Sequence, residues 1–179
     1  MGDSLITIVA IVLAAILMFV FPLMAMSDRT DDVSQLAVET ATTDFVDTVR
    51  TTGKLTANNY SKFVESINST GNAYDVEMEI KVLDENPGKK TSQATQDKIG
   101  ENVYYSMYTS QILDQLEQGG NNAAIALKEG DMFSASVKNT NTTLSQQLKN
   151  FFYTVTGNET YTIAASHAGI VTTNGTATN

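Results

Sequence analysis

The sequence predicts an α+β protein: a long N-terminal membrane-spanning helix continues into an amphipathic helix, which packs on a small sheet of three or four strands with helices. Three observations predict it. Residues Leu5–Met26, LITIVAIVLAAILMFVFPLMAM, carry no charged side chain. Residues Asp31–Thr52 follow with apolar side chains at helical intervals. Residues Tyr74–Leu83 then alternate apolar and charged side chains, the period of a strand with one buried face.

The uncharged run has 22 residues. At about 1.5 Å per residue a helix of that length reaches about 33 Å, enough to cross a hydrocarbon core of about 30 Å. Its 13 Leu, Ile, Val and Phe residues sum to roughly −6 kcal/mol for insertion. Pro22 bends a helix in apolar surroundings rather than ending it. Leu5, Ile8, Val12, Ile16, Phe19 and Met26 are anchor positions, and Ala14 and Ala15 are small enough to let a second helix approach closely. Asp3 is the only charged side chain ahead of the run, at the depth of lipid headgroups.

Composition changes at Met26/Ser27. Residues 1–26 are read as a transmembrane anchor and residues 27–179 as a single extracytoplasmic head, with 27–52 as the amphipathic helix that joins them. The head's 153 residues (179 − 26) are one ordinary domain. Val33, Leu36, Ala37, Ala41, Phe45 and Val49 fall near one helical face and are expected to pack the shaft on the head. Gly53 is expected to end the helix. The acidic flank Asp28, Asp31 and Asp32 and the short N-terminal stub favour a cytoplasmic N-terminus and an outer head.

Within the head, Thr56 is an N-cap candidate for a helix over Leu55–Asn68, and Gly71 closes it. Asn86-Pro87-Gly88 is a turn signal, and Lys89–Lys98 is a polar excursion without apolar period. Asn102–Gln118 reads as a helix through Val103, Tyr104, Met107, Ile112 and Leu116, stopped at Gly119-Gly120. Ala123–Leu127 suits a short helix or a strand. Phe133, Ala135 and Val137 mark a strand, Thr142–Val155 a helix, and Tyr161–Thr172 the last strand. Thr173–Asn179 is expected to fray. Whether the sheet is parallel is left open by the pattern.

The net charge is −9 with only 11 Lys and Arg residues, so the chain lacks the basic stripe that phosphate neutralisation requires, and no nucleic-acid partner is expected. The absence of cysteine excludes disulfides and thiolate metal sites. Asp75, Glu77 and Glu79 share one strand face, but a straight strand does not wrap a calcium ion, and a solvated face is expected. His167 is the only histidine, and no phosphate loop, dinucleotide fingerprint or zincin motif accompanies it. No catalytic residue, metal or cofactor is expected. Five Asn-x-Ser/Thr triplets, at Asn59, Asn68, Asn141, Asn158 and Asn174, are read as the yield of an Asn- and Thr-rich composition.

The apolar run from Leu5, the proline at Pro22 within it and the amphipathic continuation after Asp31 together resemble type IV pilin-like proteins, including pseudopilins and Tad-type minor pilins. The resemblance implies a non-enzymatic structural subunit of an envelope filament or secretion apparatus. It implies that the apolar half-helix anchors the subunit and later packs against copies or other pilin-like subunits, and that the amphipathic half carries a small α+β head. It also implies an acidic residue near the N-terminus that pairs with a neighbour's terminal amine, for which Asp3 is the candidate. Two other readings remain: a tethered extracytoplasmic binding module, and a secreted protein whose signal peptide is removed near Met26.

Overall fold

The structure is a computed structural model that describes residues 2–84, 104–119, 123–143, 147 and 162–175. In chain order its elements are helix α1 (Gly2–Thr52), strand β1 (Lys54–Thr56), helix α2 (Ala57–Asn68), strands β2 (Tyr74–Leu83) and β3 (Tyr104–Tyr108), helix α3 (Thr109–Gln118), and strands β4 (Ala124–Ala126), β5 (Met132–Asn139) and β6 (Ala164–Ile170). The class is α+β, with the long helix laid against a sheet.

α1 runs unbroken through Pro22 for 51 residues, about 75 Å at the usual rise. It stops at Gly53, whose φ of +65° is the left-handed conformation that glycine adopts without a Cβ penalty. The Gly53 N–H still reaches the Val49 carbonyl, at 2.9 Å. Thr56 caps α2 as expected, its Oγ1 accepting from the Asn59 N–H at 3.1 Å.

The main sheet has four antiparallel strands in the order β3-β2-β5-β6, and β1 pairs antiparallel with β4 in a separate two-stranded ribbon. Register places Val76 opposite Val137, Met78 opposite Ala135 and Ile80 opposite Phe133. Because side chains alternate across a strand, these six share one face, and α1 and α2 cover it. Burial follows: Met78, Ile80, Phe133, Ala135 and Val137 lie in the core with Val38, Phe45, Val46 and Val49 of α1 and Phe63 and Ile67 of α2. Phe45 is the centre of this packing. It stacks on Phe63 with ring centroids 4.4 Å apart and meets Phe133 edge-on at 5.6 Å, both preferred aromatic geometries.

Two expectations are corrected. Tyr104–Tyr108 is a strand, not the start of a helix. Its aromatic run pairs with the exposed edge of β2, Tyr108 opposite Glu79 and Tyr104 opposite Leu83, and that pairing overrides the helical spacing. The helix starts only at Thr109, whose Oγ1 accepts from the Met78 N–H (2.7 Å) and donates to the Met78 carbonyl (3.2 Å). The chain after Thr172 is also held rather than frayed through Gly175, since the Gly175 N–H donates to the Leu127 carbonyl at 2.8 Å and Asn174 Oδ1 accepts from the Glu129 N–H at 2.8 Å. The 86–88 turn, the 89–98 excursion and, apart from Thr142, Thr143 and Gln147, the helix expected over Thr142–Val155 lie outside the described residues.

Candidate functional site

The feature that distinguishes this molecule is α1 and the way it docks. Its first half is long and apolar enough to cross a membrane, and that half carries no packing from the head. Leu5, Ile8, Val12, Ile16, Phe19 and Met26 are 48–74 % exposed, and Asp3, Ala14, Ala15 and Pro22 are exposed as well. A helix that is apolar all round needs an apolar solvent or apolar neighbours on every side. Asp3 sits in the first turn, where a carboxylate complements the helix dipole, and its carbonyl accepts from Thr7 Oγ1 at 2.8 Å.

The second half docks through a stripe of Asp31, Ser34, Val38, Thr42, Phe45, Val46 and Val49, all buried. Apart from the adjacent Phe45 and Val46 they recur every three or four residues, which keeps them on one side of the helix. Of the residues expected to join shaft to head, Phe45 and Val49 are buried and Ala41 is half-buried. Val33, Leu36 and Ala37 are corrected: they face away from the head, with Val33 67 % and Leu36 64 % exposed. The docked stripe keeps Phe45 and Val49 of the expected one and departs from it over residues 31–38, where polar groups seat the helix. Thr143 Oγ1 donates to Asp31 Oδ2 at 2.8 Å, and both residues are buried. Gln35 grips the free side of β6 at two points, its Nε2 donating to the Ala164 carbonyl (2.7 Å) and its Oε1 accepting from the Ala164 N–H (3.0 Å).

The far end of α1 is fastened as firmly. Arg50 Nε donates to the Ile170 carbonyl at 3.0 Å, its Nη1 pairs with Asp47 at 2.6 Å, and its own carbonyl accepts from the Thr172 N–H at 3.1 Å. Gly169 leaves the space this guanidinium occupies, since a Cβ there would overlap it. Gln35 and Arg50 thus cap both ends of β6, the edge of the sheet among the described residues, on the side away from β5.

His167 lies on β6 with Nε2 3.6 Å from Asp47 Oδ1, a place at the shaft–sheet seam. Asp75 and Glu77 are exposed on the outer face of β2, and Glu79 accepts from Ser106 Oγ at 2.7 Å and lies 3.7 Å from Lys81 Nζ. Among the described residues no three His, Asp or Glu side chains converge as a metal site would require. Asp131 is buried and spends both carboxylate oxygens on backbone, accepting from the Leu83 N–H (2.9 Å) and the Lys128 N–H (2.8 Å); it organises the turn between β4 and β5. At Tyr60 burial, with the Asp75 carboxylate second, pushes the phenol above the ordinary value of 10.0.

Sequence reasoning missed the clamps at Gln35 and Arg50 and the Asp31–Thr143 bond. Their partners lie 129, 120 and 112 residues away, and no local pattern announces such pairs.

The fold and the stem define the class: an N-terminal apolar helix, of a length that crosses a bilayer, packed by its second half on a small antiparallel sheet. That arrangement is compatible with a pilin-like fold. No family model, curated protein or solved structure matches the chain.

Proposed function

We propose that the protein is a membrane-anchored, pilin-like structural subunit of a cell-envelope filament or secretion apparatus, and that its chemistry is assembly rather than catalysis. In this reading the N-terminus is cytoplasmic and the head extracytoplasmic. The observation that carries the proposal is the continuity of α1. One helix is apolar and unpacked over its first half and fastened to the head over its second, so force or position applied in the membrane reaches the head through a rigid rod. A tether that only kept a head near the membrane would not need its helix built into the head's core, as Phe45, Val46 and Val49 are.

The lipid bilayer is the first partner, and copies of the chain or other pilin-like subunits are the second. Because lipid is as apolar as the helix, association in the membrane is driven by packing, and small residues such as Ala14 and Ala15 favour it. The test exchanges residues 5–26 for an unrelated transmembrane segment of equal length. A subunit of this kind then inserts normally but no longer cross-links to copies or partners, and Pro22→Leu or Ala14→Asp weakens assembly without unfolding the head. If the exchanged chain assembles as the natural one does, the helix is only a tether and the head is a binding module.

A further inference from the structure

Where α1 first meets the head, over residues 31–38, it has two faces, and the head takes the less apolar one. Between residues 31 and 38 the docked side presents Asp31, Ser34 and Val38, while the opposite side presents Val33, Leu36 and Ala37. The Asp31–Thr143 bond and the two-point grip of Gln35 on Ala164 hold the polar side inward. Farther along the same side, Val38, Phe45, Val46 and Val49 enter the core, so the head leaves the apolar side of residues 33–37 uncovered.

An anchor whose hydrocarbon span ends at Met26 leaves this stripe beyond the reach of lipid. Val33 lies about 10 Å and Leu36 about 15 Å beyond Met26 along the helix, whereas the headgroup zone adds only about 5–8 Å to each side of the hydrocarbon core. Asp28 and Asp32 also border this stretch, and anionic headgroups repel them. The stripe does continue the anchor. Phe19, Met26 and Val33 follow one another at intervals of seven and are 74 %, 69 % and 67 % exposed, the spacing that keeps a seam on one side of a supercoiling helix. Beside it runs a shallow groove lined by Arg29, Thr30, Val33, Ser34, Ala37 and Thr70.

We propose that Val33, Leu36 and Ala37 form a contact surface for α1 of a second copy, so that helix packing between copies extends beyond the membrane and alongside the head. The occupant follows from confinement. Every copy enters the bilayer in the same direction, so neighbouring α1 helices run parallel and bring this stripe of one to the same depth as that of the next. The inference rests on the assembly reading above and adds to it the residues outside the membrane.

The absence of cysteine makes the test clean. Leu36→Cys, Val33→Cys, Ala14→Cys and Lys62→Cys are made singly in the full chain, inserted into phosphatidylcholine vesicles and oxidised with copper phenanthroline. Each link joins two thiols into one disulfide, with oxygen as the oxidant. Leu36→Cys and Val33→Cys are expected to give covalent dimer at a yield near that of Ala14→Cys and about fivefold above Lys62→Cys, because only close, facing thiols can bridge. If Ala14→Cys links and neither outer position does, the outer contact is absent and the assembly reading survives. If none links, both fall. A spin label at Leu36 quenched preferentially by oxygen over an aqueous nickel chelate would place the stripe in lipid and also overturn the proposal. Circular dichroism melting of each variant confirms that the head is folded, and Val33→Cys stands in should Leu36→Cys fail that check.

Discussion

Gly175 crosses Gly53 backbone to backbone, so closely that a Cβ on either would overlap main-chain atoms of the other's segment. The Gly53 carbonyl accepts from the Leu127 N–H, and the Leu127 carbonyl accepts from the Gly175 N–H, both at 2.8 Å. The C-terminal residues therefore strap the end of α1 to the ribbon of β1 and β4. Gly175 is not in the left-handed region, so Gly175→Ala reports the overlap alone, and a loss of about 1–3 kcal/mol is expected from urea unfolding. Gly71 is the contrast: its φ is +82° but no atom lies within 4 Å of a built Cβ, so Gly71→Ala costs only the conformational strain of about 1–2 kcal/mol.

The docked stripe predicts opposite outcomes for two large apolar residues nine positions apart. Phe45→Ala removes the ring that stacks on Phe63 and meets Phe133 and is expected to cost about 3–5 kcal/mol of head stability. Leu36→Ser, on the exposed side, should change head stability by no more than about 0.5 kcal/mol in either direction. Thermal melts of the two variants in detergent measure both.

Asp31 and Thr143 form a buried bond across 112 residues of chain. Asp31→Ala leaves the Thr143 hydroxyl without this acceptor, and about 1–3 kcal/mol should be lost. Asp31→Asn keeps an acceptor oxygen and should recover part of it. Hydrogen exchange is expected to rise first in the Ser34–Val38 turn of α1 and at β6 beside it.

Tyr60 gives the alkaline limit a named contributor. Its proton is held more tightly in the folded state than in the unfolded one. Its contribution is therefore fully present below about pH 10 and is lost as pH rises from there through the folded value. Tyr60→Phe should flatten the fall in stability as pH rises above about 10 relative to the natural chain, and a denaturation series across the alkaline range checks it.

Much of the fold was legible where a single local rule governs. The charge-free run and the alternation in β2 each need no distant partner, and Thr56 and Gly53 are local punctuation. The docked face of α1 was not legible. Val33, Leu36 and Ala37 satisfy helical spacing with Ala41 as well as the true stripe does, and the partners that the docked side meets, Phe133, Thr143 and Ala164 among them, lie far along the chain. Tyr104–Tyr108 was misread for a related reason: three tyrosines and a methionine fit a helix face, yet the open edge of β2 takes them as a strand. The strap at Gly175 looked like a frayed tail because its Thr-, Asn- and Gly-rich composition hides a close backbone crossing that only glycine permits.

The most direct measurement is a pulsed spin-resonance distance across the membrane boundary. The chain has no cysteine, so labels at Ala15→Cys and Asp44→Cys, both exposed positions on α1, are the only ones present in vesicles. An unbroken helix places the two backbones about 44 Å apart, with a narrow distribution. A broad distribution centred well below that distance would mean that the anchor and the docked half move as separate bodies, and a rod joining membrane to head would be contradicted.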